Sequence, residues 1–150
     1  MHYHYAERAV IADRRANPLQ DAAMNLEKVV FGFFIVLAAT LNFGFVYGEI
    51  ENPHHHHLWE FFAAFVVNVI ATVLKFGDRS QVGAIHLATS LVAVLQLAGA
   101  ALVWTIADPG PGATVSTPVL SSIVSLSAGA LLANIVSVVI LIVETTVQRR

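Results

Sequence analysis

The sequence has 150 residues, of which 57% are hydrophobic and only 12% are charged. A soluble domain of this length carries about 25% charged residues, so the composition excludes an ordinary water-soluble domain. The chain has no cysteine, which excludes disulfides, thiolate metal sites and thiol redox chemistry within it.

Residues 1–27 form a polar segment with charges of both signs. Residues 5–16 within it favour a short amphipathic helix. Asn17-Pro18 would end that helix, because a residue before proline disfavours helical backbone angles. We expect this segment to lie in the cytoplasm, and residues 28–150 to form a four-helix transmembrane domain.

Four long apolar runs follow the N-terminal segment. A helix needs about 20 mostly apolar residues to cross about 30 Å of hydrocarbon. The runs predict membrane-spanning helices at residues 28–48, 58–76, 84–106 and 118–143. The second run is short between its flanking charges, and we expect Glu60 and Lys75 to snorkel to opposite interfaces. The predicted fold is an all-α membrane protein in which two helical hairpins form a bundle.

The basic residues are distributed unevenly between the predicted loops. All eight lie at or before the start of the first helix, at or after the end of the second, or at the end of the chain: Arg8, Arg14, Arg15, Lys28, Lys75, Arg79, Arg149 and Arg150. By the positive-inside rule, both termini and the loop at 77–83 are cytoplasmic, whereas the loops at 49–57 and 107–117 face outward. This bias argues against the small multidrug exporters and fluoride channels, which insert in both orientations.

Each predicted helix carries one amide side chain well inside its span: Asn42, Asn68, Gln96 and Asn134. An unpaired amide in hydrocarbon costs several kcal/mol, so these groups should face one another or water rather than lipid. Helical spacing places Thr72 on the face of Asn68 and Ser137 on the face of Asn134. Two interpretations remain open: the amides hydrogen-bond one another and hold the bundle together, or they line a hydrated ion path.

His86 is the histidine that falls inside a predicted span, near the cytoplasmic end of the third helix. One interpretation is an interfacial histidine bonded to a neighbour or to a lipid phosphate. The other is a proton relay or gate. A haem held by two imidazoles would require a second histidine inside a span, and the predicted spans contain none.

The segment at residues 49–60, here called the histidine loop, holds four consecutive histidines and three carboxylates without any Lys or Arg. These residues are Glu49, Glu51, His54, His55, His56, His57 and Glu60. Imidazole and carboxylate both bind Zn, Cu, Ni or Fe, and a divalent metal here is the one cofactor we consider. Three interpretations remain open: a solvated polar loop, a site that admits metal or other cations, and a sensor of external pH.

Three stretches carry a resemblance to a known family: Met24–Gly44, Asn68–Arg79 and His86–Leu91. Over about residues 24–106 the chain resembles a family of small, uncharacterised four-span proteins of the bacterial inner membrane. That family has no established activity. The resemblance therefore implies a bacterial cytoplasmic membrane and no particular function.

Together these patterns favour a small membrane protein that forms or gates a cation path as a homo-oligomer, with the histidine loop as its acidic outer mouth. The alternative is a non-catalytic accessory or structural subunit of a larger membrane transporter or channel complex. No nucleophile–base pair, phosphate loop or buried carboxylate pair is present, so we expect no enzymatic activity. The expected partners are the lipid bilayer and either further copies or a membrane complex, and no nucleic acid.

Overall fold

The computed structural model describes residues 18–48, 52, 56–107, 110 and 113–147, and this part of the chain is all-helical. The helices are α1 (Pro18–Val46), α2 (Leu58–Lys75), α3 (Gln81–Ala107) and α4 (Thr117–Val147). The chain divides into two compact units, Met1–Val30 and Phe31–Arg150. The helix predicted at 5–16 lies outside the described residues.

Each helix contains a stretch that is long and apolar enough to cross a membrane. These stretches are Leu26–Val46, Leu58–Lys75, Gln81–Ala107 and Thr117–Val147. They confirm the prediction of an all-α fold with four membrane-spanning helices. α4 continues past the predicted end at residue 143 to Val147, and within this extension the hydroxyls of Thr145 and Thr146 donate to carbonyl oxygens one turn back, at 2.7 Å each.

The turn between α2 and α3 is built from local hydrogen bonds that fix where α3 begins. Gly77 adopts a left-handed φ of 94°, which glycine tolerates without steric cost. Ser80 then caps α3, because its hydroxyl accepts a hydrogen bond from the backbone N–H of Gly83 at 2.9 Å. A methyl group at Gly83 would overlap the Asp78 carboxyl group, so this tight turn also depends on a residue without a side chain.

The interior contains two apolar clusters. The larger includes Phe45, Phe61, Leu97, Leu120 and Ile123. The smaller consists of Phe31, Ile35 and Ala71, with Leu74, Val138 and Leu141 packed against it. All four helices contribute to this interior, and α3 and α4 are the most extensively packed pair.

The outer surface of the bundle is apolar. Large hydrophobic side chains are exposed on every helix, among them Val36, Val66, Leu95 and Leu132. Soluble proteins rarely expose contiguous apolar surface, whereas lipid chains are as apolar as these side chains. The chain is therefore a small multi-pass membrane protein whose helices contact the bilayer.

Candidate functional site

Three asparagines, here called the asparagine set, lie fully inside the bundle: Asn42, Asn68 and Asn134. Each has 0% exposure, and each lies along its helix between residues of the two apolar clusters. The fourth predicted amide, Gln96, is half-buried instead. It fits against α4 at Gly129, where any Cβ would overlap its carboxamide.

Most polar atoms of the asparagine set have no hydrogen-bond partner among the described residues. The Nδ2 of Asn68 donates to the Ala64 carbonyl oxygen at 2.8 Å. In the described part of the chain, the Oδ1 of Asn68 and both polar side-chain atoms of Asn42 and Asn134 are buried without a hydrogen-bond partner. These three amides therefore do not bond one another in the described part of the chain. The interpretation that they hold the bundle together requires such bonds.

Two buried serines extend this set of unpartnered polar groups. The hydroxyls of Ser90 on α3 and Ser127 on α4 are fully buried and have no partner in the described part of the chain. Thr72 differs, because its hydroxyl donates to the Asn68 carbonyl oxygen at 2.8 Å. All four helices thus present polar side chains to the interior.

A group of ionisable and aromatic residues, the His86 cluster, lies where α2 and α3 meet: Phe31, Lys75, Asp78, His86 and Glu144. The His86 ring is fully buried and meets the Phe31 ring edge-to-face, with centroids 4.9 Å apart. Its Nε2 lies 3.9 Å from Oε2 of Glu144. Neither ring nitrogen of His86 has a hydrogen-bond partner among the described residues.

The sequence predicts that Lys75 snorkels to the interface, but its side chain is buried in the structure. Its side chain is only 6% exposed, with the ammonium 4.6 Å from the centroid of the Phe31 ring. The Nζ donates to Oδ2 of Asp78 at 3.2 Å. The aromatic face and the carboxylate replace water as partners of the charge, so the side chain folds inward.

A hydroxyl pair joins α3 to α4 close to His86. The Oγ atoms of Thr89 and Ser137 are 2.5 Å apart, a short hydrogen bond in which either can donate. Thr89 also donates to the His86 carbonyl oxygen at 3.0 Å. Ser137, predicted from the sequence, thus meets the helix that carries His86.

Asp78 is held as an anion by its neighbours. Burial raises the pKa of its carboxyl, but hydrogen bonds from the Ser80 hydroxyl and backbone N–H and from Lys75 outweigh burial, so the pKa lies below 3.8. A carboxyl group whose pKa is lower in the folded state than in the unfolded state stabilises the folded state at every pH above the unfolded-state pKa. That stabilisation is lost as the pH falls through the folded-state pKa.

Replacing Asp78 with asparagine should therefore cost stability in a pH-dependent way. At pH 7 we expect D78N to lower the unfolding free energy by about 1 kcal/mol, the upper range for a partly exposed ion pair. The difference from the parent protein should shrink as the pH falls below about 4, the ordinary pKa of an aspartate, towards the lowered folded-state pKa of Asp78. Unfolding in detergent between pH 3 and 7 measures this, and a difference that does not change with pH would contradict it.

The described part of the histidine loop folds back onto α1. His56 is buried, and its Nδ1 donates to the Phe45 carbonyl oxygen at 2.7 Å. His57 is exposed at the start of α2, and Glu60 lies against Gly44. Among the described residues, no group of three His, Asp or Glu side chains is placed to hold a metal.

Four predicted residues of this loop lie outside the described residues: Glu49, Glu51, His54 and His55. The metal-binding and pH-sensing interpretations therefore remain predictions.

Sequence reasoning selected His86, Thr72 and Ser137 but missed several of their neighbours. Phe31 looks like one of many lipid-facing aromatics, and Ser90 looks like an ordinary small residue of a spanning helix. Glu144 does give a signal in the sequence, because it lies about two helical turns after Ser137 on the same face of the helix. Two ionisable residues near the same predicted membrane face, Glu144 and His86, would have pointed to the cluster.

Comparison with known proteins gives a family but no function. Residues 55–145 match the model of a family of unknown function, DUF6394. This range covers more than half of the chain and includes α2 and α3 and most of α4. No curated protein and no solved structure matches the chain. The chain belongs to the DUF6394 family.

Proposed function

We propose that this protein carries a small cation across the membrane through the interior of its own helix bundle. The observation that carries the proposal is a set of buried polar atoms that have no hydrogen-bond partner in the part of the chain that the structure describes, contributed by Asn42, Asn68, Ser90, Ser127 and Asn134. A buried polar group without a hydrogen bond costs about 1–3 kcal/mol. Polar groups inside a membrane domain are kept at such a cost mainly for ion or substrate pathways.

The chemistry of these atoms suits a cation. Amide and hydroxyl oxygens replace water around a dehydrated cation, as carbonyl oxygens do in selectivity filters. The same groups bond transient water, which a hydrated path requires. The two apolar clusters on either side of the asparagine set would limit leakage when no ion occupies it.

The charge distribution of the predicted loops also favours a cation over an anion. The loops predicted to face outward contain no Lys or Arg, and the histidine loop carries three carboxylates. A negative mouth raises the local cation concentration. We assign the basic residues and both termini to the cytoplasmic side of a bacterial inner membrane.

The path is proposed within one chain because of where the polar atoms point. A pore between copies would be lined by the exposed faces of the helices, and these carry side chains such as Val66, Leu95 and Leu132. A homo-oligomer of this chain would then contain one path per copy rather than a single central pore.

Flux through reconstituted protein tests the proposal. The full chain is placed in liposomes with an imposed membrane potential, and proton, Na⁺ and K⁺ entry are followed with trapped indicators. Flux of one of these cations should rise with the protein-to-lipid ratio and be absent from protein-free vesicles. Sealed vesicles, together with a stoichiometric partner in native membranes, would replace the proposal with the accessory-subunit function.

The proposed orientation can be checked separately, because the chain has no cysteine and any introduced cysteine is unique. Arg79 in the α2–α3 turn and Ser116 before α4 are both exposed. In intact cells, S116C should react with a membrane-impermeant maleimide, whereas R79C should react only after permeabilisation. The reverse pattern would invert the topology.

A further inference from the structure

Resting on the proposed function, we infer that the transported cation is the proton and that His86 is the residue that binds it inside the bundle. The His86 ring is fully buried, neither of its nitrogens has a hydrogen-bond partner within the described ranges, and the Glu144 carboxylate lies 3.9 Å from Nε2. Imidazole is the side chain that exchanges protons most readily near neutral pH.

The surroundings of His86 select a proton over an alkali ion. Alkali and alkaline-earth ions prefer shells of oxygen ligands, whereas the groups here are two ring nitrogens and one nearby carboxylate. The Lys75 ammonium on the Phe31 ring adds a fixed positive charge to the same cluster. That charge opposes an imidazolium as well as a metal cation, so the Glu144 carboxylate is needed to offset it.

The charged groups facing His86 come from three elements. α2 contributes Lys75, the α2–α3 turn contributes Asp78, and α4 contributes Glu144, while α1 contributes the uncharged ring of Phe31. Lys75 and Asp78 form an ion pair with each other at 3.2 Å. Glu144 is therefore the carboxylate closest to serving as counter-charge when His86 gains a proton.

The transfer step conserves charge and involves no redox change. A proton binds the unprotonated ring nitrogen and forms an imidazolium beside the Glu144 carboxylate. The proton on the other ring nitrogen then leaves, and the ring must reorient so that its unprotonated nitrogen again faces the incoming proton before the next cycle. The adjoining hydroxyl pair of Thr89 and Ser137 offers oxygens that both donate and accept, as a proton chain needs.

Two variants and one control test this inference in the liposome assay. H86Q keeps a polar side chain but removes the titratable ring, and E144Q removes the counter-charge while leaving His86 in place. T105V is the control, because the Thr105 hydroxyl is exposed and bonds only within its own helix. Circular dichroism and elution as a single species establish that each variant is folded.

We expect H86Q to lower proton flux by about a hundredfold, the usual scale for a positioned proton-transfer group. E144Q should shift the pH of half-maximal proton flux towards acid by about one unit, because the imidazolium loses its partner. T105V should match the parent protein. The E144Q profile decides the matter if H86Q fails to fold.

The outcomes separate the inference from the proposed function. Na⁺ or K⁺ flux without proton flux would overturn the proton assignment and leave cation transport standing. Unchanged proton flux in folded H86Q, or an unshifted pH profile in E144Q, would overturn the role of His86. Absence of every flux would overturn the proposed function itself.

Discussion

Replacing Asn134 with leucine should stabilise the bundle while reducing cation flux. Both polar side-chain atoms of Asn134 are buried without a partner among the residues that the structure describes, and leucine has a similar shape without a polar atom. Removing such a group should raise the unfolding free energy by about 1–3 kcal/mol. Flux should fall about tenfold or more, since an added barrier of about 1.4 kcal/mol has that effect.

Reversible unfolding in detergent and liposome flux measure the two effects on the same preparation. Q81L is a matched control, because Gln81 is an exposed amide at the first residue of α3. Its unfolding free energy should change by less than about 0.5 kcal/mol, and its flux should be unchanged. Replacing Asn68 with leucine should raise the unfolding free energy less than replacing Asn134, because the Nδ2 of Asn68 already donates to the Ala64 carbonyl oxygen.

The N134L result separates the two interpretations of the amides. If Asn134 holds helices together through hydrogen bonds, leucine must destabilise the bundle, by about 0.6 kcal/mol or more. If Asn134 is retained for transport, stability and flux must move in opposite directions, as they do at functional sites that are not optimised for stability. A stable variant with unchanged flux would remove Asn134 from the path.

The fold was predictable because its cause is local. Hydrocarbon accepts few charges, so long uncharged runs mark the four helices whatever their packing. The inward position of Asn42, Asn68 and Asn134 follows from the same physics, since lipid offers an amide no partner. Neither result depends on knowing which helix lies beside which.

The His86 cluster was only partly predictable because it depends on tertiary contacts. A lysine at the end of a span can extend to interfacial water or fold back onto an aromatic ring. Lys75 folds back because α1 supplies Phe31 and the following turn supplies Asp78. The sequence shows that Lys75 and Asp78 are close, but it does not show that Phe31 meets them.

The hydrogen bonding of the buried serine hydroxyls was not predictable for a different reason. A serine in a spanning helix usually bonds to a carbonyl one turn back, which makes it unremarkable in a sequence. Ser122 does so, with its hydroxyl donating to the Pro118 carbonyl oxygen at 3.1 Å. Ser90 and Ser127 make no such bond among the described residues, and that difference is visible only in the structure.

Replacing Phe31 with alanine should give the largest loss of stability among these variants. The ring is fully buried, belongs to the smaller apolar cluster, and contacts both Lys75 and His86. Its removal leaves a void that the helices can fill only in part, at a cost of about 3 kcal/mol. F33A is the matched control: Phe33 lies two positions along α1, is 61% exposed, and should cost much less.

F31L divides that loss into packing and charge. Leucine keeps most of the apolar volume but has no aromatic face, so the remaining loss includes the contact with the Lys75 ammonium, about 1–2 kcal/mol when water is excluded, and the edge-to-face contact with His86. If Lys75 draws its stability from Asp78 alone, F31L should cost the same whether residue 75 is lysine or methionine. A loss in F31L that K75M abolishes in a double-mutant cycle would instead show that the ring holds the buried lysine beside His86.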